Sequence, residues 1–230
     1  MRKGQTMKYK AIIFDMDGTI INTEKIWEEA TRQLSEKRGI AYTGELKNEL
    51  SSRLAGLATH KSCGIIKDLI KLSEPLEDLI HEKNSTANLL YEEGIEFIEG
   101  FIEFHGKLAH IQIKSAIATN AGEKTIQLTD KALDLKKYFG EHVYGISCVD
   151  GICKPDPAIY LYAAEKLGIH PSECIAIEDS AHGIAAARAA GMYCVGIKTS
   201  HDKNQTREAH HTIEGYHEID LEKLMLKLKK

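Results

Sequence analysis

The chain predicts an open α/β fold, a doubly wound parallel sheet with helices on both faces and an all-helical segment inserted after its first strand. Three observations predict it: short apolar runs alternate with helical patterns, the first run ends abruptly in acids and glycine, and residues 23–92 contain no convincing strand. The first run is Ala11-Ile12-Ile13-Phe14, followed by Asp15-Met16-Asp17-Gly18-Thr19. Four apolar residues are too few for a helix and suit a buried strand, and Gly18 lets the backbone turn sharply at its end. Asp15 and Asp17 therefore stand at the carboxyl end of a strand, where open α/β sheets bind their ligands. A calcium loop also begins with alternating aspartates, but it requires glycine at its sixth position and glutamate at its twelfth. Counted from Asp15, those positions hold Ile20 and Ile26.

The helical segment comes next. Trp27, Ala30, Leu34 and residues 65–72 supply apolar faces at helical spacing, and Gly39, Gly44 and Gly56 mark turns. The expected division is a core over residues 7–22 and 93–230 and a helical cap over 23–92. A cap placed directly after the acidic turn would sit above it, where it can exclude water and select the substrate; the alternative is one compact domain with an extra helical layer.

Four more strands are expected at residues 113–119, 143–148, 174–177 and 193–197. Between them, residues 158–167 read as a helix with Pro157 in its first turn, and residues 180–191 as a helix capped by Ser180 and closed by Gly191. Residues 222–230 read as a terminal amphipathic helix.

Polar groups then collect at the strand ends: Thr119-Asn120 after the second strand, Lys154 in Lys-Pro-Asp-Pro, and Glu178-Asp179-Ser180 after the fourth. Each has an ordinary explanation as a cap or a solvated loop residue, but together they form a chemically coherent set. Asp15, Glu178 and Asp179 concentrate negative charge, and like charges at ~4 Å repel by several kcal/mol at an intermediate dielectric. A phosphate dianion approaching them needs a cation, and magnesium suits hard oxygen ligands, with Lys154 offsetting a further charge. Thr119 and Asn120 can donate hydrogen bonds to phosphoryl oxygens.

Composition narrows the partners. With 230 residues, a formal charge of -4 and 43% hydrophobic residues, the chain reads as a soluble globular protein without the dense basic block that nucleic acid binding uses. No long uncharged run could span a membrane, and residues 1–6 lack the apolar core of a signal peptide. The five cysteines show neither CxxC nor zinc-ligand spacing and read as reduced thiols of a cytoplasmic protein, with a monomer the simplest expectation.

The ordered set of motifs resembles the haloacid dehalogenase superfamily of phosphohydrolases, in the subgroup that includes β-phosphoglucomutase and sugar-phosphate phosphatases. Asp15-Met16-Asp17-Gly18-Thr19, Thr119-Asn120, Lys154 and Glu178-Asp179-Ser180 match the four superfamily motifs in order. The resemblance implies a Rossmann-like core with a helical cap. It also implies that Asp15 attacks phosphorus to form an aspartyl phosphate, while Asp17 protonates the leaving oxygen and then deprotonates water. Gly18, Thr119, Asn120 and Lys154 would bind phosphate. Asp15, Asp179 and the backbone carbonyl of Asp17 would hold Mg2+, with Glu178 binding it directly or through water. Dehalogenases proper lack an acid at the position of Asp17, so its presence argues against dehalogenation.

In the cap, Trp27 stands where the mutase has a histidine, and Ala58-Thr59 where it has a Ser-Arg pair. A neutral threonine cannot replace the bidentate anchor that arginine gives a second phosphate, which favours a phosphatase over a phosphomutase. Trp27 and Thr59 are the candidate specificity residues, Trp27 either stacking on a sugar face or packing in the cap core. A third alternative is an inactive protein that binds a phosphorylated metabolite. Retention of both aspartates, Lys154 and the acidic pair opposes it.

Overall fold

A computed structural model describes residues 8–54, 57–199 and 202–225; residue 7, Gly56 and residues 226–230 of the expected terminal helix lie outside them. The first strand, β1 (Ala11–Phe14), is followed by α1 (Glu24–Glu36), α2 (Gly44–Leu54), α3 (Thr59–Leu69), α4 (Leu76–Glu93) and α5 (Phe101–His110). Then come β2 (Lys114–Ala118), α6 (Glu123–Leu133), α7 (Leu135–Phe139), β3 (Val143–Tyr144) and α8 (Ala158–Leu167). The chain continues through β4 (Cys174–Glu178), α9 (Ala181–Ala189), β5 (Tyr193–Ile197), β6 (His211–Ile213) and α10 (Leu221–Met225).

The six strands form one parallel sheet in the order β3-β2-β1-β4-β5-β6. All four residues of β1 are buried, as expected for a central strand covered on both faces. Successive side chains point to opposite faces, and the core divides accordingly. Ile12 and Phe14 join a cluster with Phe101, Phe104 and Phe139 from α5 and α7. Ala11 and Ile13 join another with Ile159, Ala163, Ile184 and Ala187 from α8 and α9. The helices between β1 and α5 have a separate cluster built on Leu34, Leu50, Cys63, Ile66 and Leu79.

Three expectations need correction. The strand expected at 143–148 ends at Tyr144, and Ile146–Val149 forms a 3-10 turn instead. Gly145, between the two, packs so closely that a Cβ would fall 2.5 Å from the carbonyl oxygen of Ala121. The second strand starts at Lys114, because Ile113 N–H still closes α5 on the Leu108 carbonyl and Gln112 takes a left-handed turn, φ 57°. Pro157 stands at the N-cap of α8 and not inside its first turn.

Ser180 caps α9 as expected, its hydroxyl accepting from Gly183 N–H at 3.1 Å. No helix among the described residues is long and apolar enough to cross a membrane.

Candidate active site

The sheet register brings the first carboxylates together. Phe14 pairs with Ile177 between β1 and β4, so Asp15 and Glu178 leave adjacent strands at the same level. Asp15 N–H continues the ladder to the Ile177 carbonyl at 3.0 Å. Lys154 sits between the two acids, its Nζ 2.5 Å from Asp15 Oδ1 and 2.6 Å from Glu178 Oε1.

Lys154 is 1% exposed, so its four-carbon stem is fully enclosed with its charge. Burial opposes that charge, but the Asp15 and Glu178 carboxylates outweigh it and hold the ammonium above its ordinary range. Asp15 is pushed up to about 7 by burial, with Lys154 pulling it down and Glu178 pushing it up. Burial, then Asp15 and Glu178, push Asp179 well up too.

Three carboxylates thus face one ammonium, with Glu178 and Lys154 buried, Asp15 nearly so and Asp179 half-buried. Carboxylate oxygens of Asp15, Glu178 and Asp179 lie within 4.8 Å of one another. This donor set of hard oxygens carrying excess negative charge fits magnesium. Gly18 is essential to the cradle: its φ is +80°, and a Cβ there would fall 2.3 Å from Asp179 Oδ2. Its carbonyl accepts from Thr199 Oγ1 at 2.5 Å.

Glu178 is held on both oxygens. Oε1 accepts from Lys154 Nζ and from Tyr160 Oη at 2.9 Å. Oε2 accepts from Asp179 N, Ser180 N and Ser180 Oγ at 3.1, 3.2 and 3.1 Å. Asn120 Oδ1 accepts from Lys154 N–H at 2.9 Å, joining the ends of two loops, and Thr119 Oγ1 accepts from Ala121 N–H at 3.0 Å.

Asp17 is bound to the helical insert. Its Oδ1 accepts from Tyr91 Oη at 2.6 Å, Thr23 Oγ1 at 2.7 Å and Trp27 Nε1 at 3.4 Å. Thr23 is the N-cap residue of α1 but makes no capping bond, its hydroxyl being committed to Asp17.

A cavity of about 850 Å³ opens over this arrangement, lined by Asp15, Asp17, Gly18, Thr119, Asn120, Lys154 and Asp179 from below and by Trp27 and Thr59 from the insert. Glu178 lies behind this wall, 0% exposed.

Sequence reasoning missed Tyr160, Tyr91 and Lys83. Lys83 lines the cavity from α4, only 3% exposed, donating to Ser62 Oγ at 3.2 Å. The signal was present: the buried residues of α4 are Leu79, Lys83, Ala87 and Tyr91, a stripe at intervals of four that contains a lysine.

Residues 12–197 match the family model of haloacid dehalogenase-like hydrolases. The chain belongs to that family. A phosphorylated carbohydrates phosphatase of Thermotoga maritima is 31% identical over 183 residues, which are 80% of this chain and 82% of that protein. Beta-phosphoglucomutase of Bacillus subtilis is 28% identical over 195 residues, covering 82% of this chain and 83% of the mutase. Among solved structures, a HAD family hydrolase of Deinococcus radiodurans with bound phosphate and sodium superposes with a TM-score of 0.73 at 25% identity, covering 93% of this chain and 94% of that one. Within this haloacid dehalogenase-like hydrolase, all four motif positions fall inside the matched span.

Proposed function

We propose that the protein is a magnesium-dependent phosphomonoester hydrolase that acts on a small phosphorylated metabolite, a sugar phosphate first of all, through an aspartyl-phosphate intermediate. One observation carries this reading: a buried carboxylate, Asp15, fixed at 2.5 Å by the Lys154 ammonium and flanked by two further carboxylates at the floor of a substrate-sized cavity. An Asp15 oxygen attacks phosphorus while the bond to the leaving oxygen breaks. Asp17 gives that oxygen a proton, then takes one from the water that attacks phosphorus and frees Asp15.

Gly18, Thr119, Asn120 and Lys154 hold the phosphoryl oxygens. Asp15, Asp179 and the Asp17 carbonyl would hold the metal, whose positive charge would offset the charge that builds on the transferring group. Glu178, already taking five hydrogen bonds, fixes Lys154 from behind and would serve the metal directly or through water.

In this reading residues 7–22 and 93–230 form the catalytic core and residues 23–92 a cap, with an apolar cluster of its own around Leu34 and Ile66 and with α1 and α4 anchored in the main core through Ile26, Ala30, Ala87 and Tyr91. Trp27 and Thr59 face the substrate from it. The neutral Thr59 favours transfer to water over the phosphomutase reaction. The protein works as a monomer in the cytoplasm, where its five cysteines, all free, stay reduced.

The test is phosphate release from a panel of phosphorylated metabolites, with Mg2+ and with chelator. Wild-type turnover that vanishes on chelation and in Asp15→Asn supports the reading; a wild type no faster than Asp15→Asn defeats it.

A further inference from the structure

Tyr91 stands out among the buried groups that the chemistry above does not use. It is 1% exposed and near the carboxyl end of α4, and its hydroxyl makes the shortest of the three bonds on Asp17 Oδ1. Asp17, Thr23 and Trp27 line the cavity, whereas Tyr91 does not, so its hydroxyl reaches Asp17 from behind the cavity wall. A molecule filling the cavity meets Asp17 but not Tyr91.

The ring is also firmly held. Although α4 belongs to the insert, Tyr91 packs in the main core cluster with Phe14, Met16, Ile20 and Ile95, not in the separate cluster of the insert. It meets Trp27 edge-on, with ring centroids 6.3 Å apart at 70°. A donor anchored in the core has little freedom to lose, so its hydrogen bond fixes the acceptor.

We propose that Tyr91 is a positioning residue for Asp17, whose hydroxyl sets the direction of the carboxylate that exchanges a proton with the leaving oxygen. This rests on the hydrolase reading above. With Oδ1 taken by protein donors, the exchanged proton resides on Oδ2. As the bond from phosphorus to the leaving oxygen breaks, its electron pair stays on that oxygen, which takes the Oδ2 proton, while an Asp15 oxygen bonds to phosphorus. Asp17 is left as a carboxylate. If the hydroxyl of Tyr91 is removed, Asp17 keeps its chemistry but loses its aim.

The consequence depends on the leaving group, which a merely structural role would not. An alkoxide leaves poorly without a proton, whereas a dinitrophenolate leaves without help. Tyr91→Phe removes one oxygen and keeps the ring, and kcat and KM are measured with ethyl phosphate and with a dinitrophenyl phosphate. For ethyl phosphate, kcat falls about tenfold, the scale set by one hydrogen bond to a charged group, with KM changing less than about twofold. For the aryl ester, kcat/KM, which reports only the step that forms the aspartyl phosphate, changes less than about twofold, because that leaving group needs no proton.

The ratio of the two kcat/KM values is independent of how much of the variant is folded and excludes the later step in which Asp17 activates water. In an Asp17→Asn background, Tyr91→Phe has no further effect on ethyl phosphate, because the two residues act as one unit. Equal losses of kcat/KM on both esters, or an additive loss in the double variant, overturn the inference alone. A wild type that hydrolyses neither ester overturns the hydrolase reading and this inference with it.

Discussion

The carboxylate of Glu178 lies over the Cα of Gly183, so close that a Cβ there would fall 1.7 Å from Oε1 and 1.9 Å from Cδ. Gly183 is a residue of α9, and inside a helix alanine normally gains about 1 kcal/mol over glycine. Here the gain is outweighed. A methyl group must drive Glu178 off Lys154, Tyr160 and Ser180, and breaking a buried ion pair costs about 3–5 kcal/mol. Gly183→Ala therefore lowers the thermal midpoint by several degrees, about 2–4 °C per kcal/mol for a chain of this size, and abolishes turnover. A variant that melts at or above wild type would show that Glu178 is free to move.

His105 makes stability depend on acid. Its ring lies between Phe101 and Phe139, at centroid distances of 5.5 and 4.8 Å, and its Nε2 bonds Ser115 Oγ at 3.0 Å. Burial pushes it down from 6.5 to about 4. The unfolded chain therefore binds a proton that the folded chain refuses in this window. The contribution of His105 is complete above pH 6.5 and is lost as pH falls from there towards about 4. Thermal melts across that range show a shallower decline in His105→Phe than in wild type. Parallel declines would place the acid sensitivity elsewhere.

Much of this site was legible in the chain because apolar runs that end in polar residues locate strand ends, and a parallel sheet gathers those ends on one edge. Asp15, Thr119 and Asp179 follow from that rule, whereas Lys154 lies in the loop between Val149 and α8 and was legible only from the positive charge that its acidic neighbours need. The six-stranded sheet was legible only in part. The sixth strand is His211-Thr212-Ile213, with a single fully apolar residue and no visible period. The partners of the site were hidden for a different reason. Tyr91 is 74 residues from Asp17 in sequence, and both Tyr91 and Tyr160 occupy helix positions that pattern alone assigns to packing. Only the lysine within the buried stripe of α4 broke the pattern.

That lysine carries the last prediction. Lys83 Nζ lies 5.7 Å from the centroid of the Trp27 ring and donates to Ser62 Oγ, and no carboxylate pairs with it among the described residues. Burial pulls it down from 10.5 to about 8, while the neighbouring Cys63 pushes the other way. Because the folded protein resists charging this group, a stability penalty is present in full below pH 8 and is relieved as pH rises from about 8 to 10.5. Lys83→Met, close in volume and uncharged, should thus raise the thermal midpoint at neutral pH. The same charge faces the cavity, where a substrate's polar groups can take the place of a missing partner. The substitution therefore raises KM about tenfold or more with kcat changed much less, the pattern of lost ground-state binding. In wild type, KM rises as pH passes about 8, and in Lys83→Met that rise is absent. A variant that is more stable yet binds its best substrate as well as wild type would make Lys83 a tolerated defect of the cap and not a contact for the substrate.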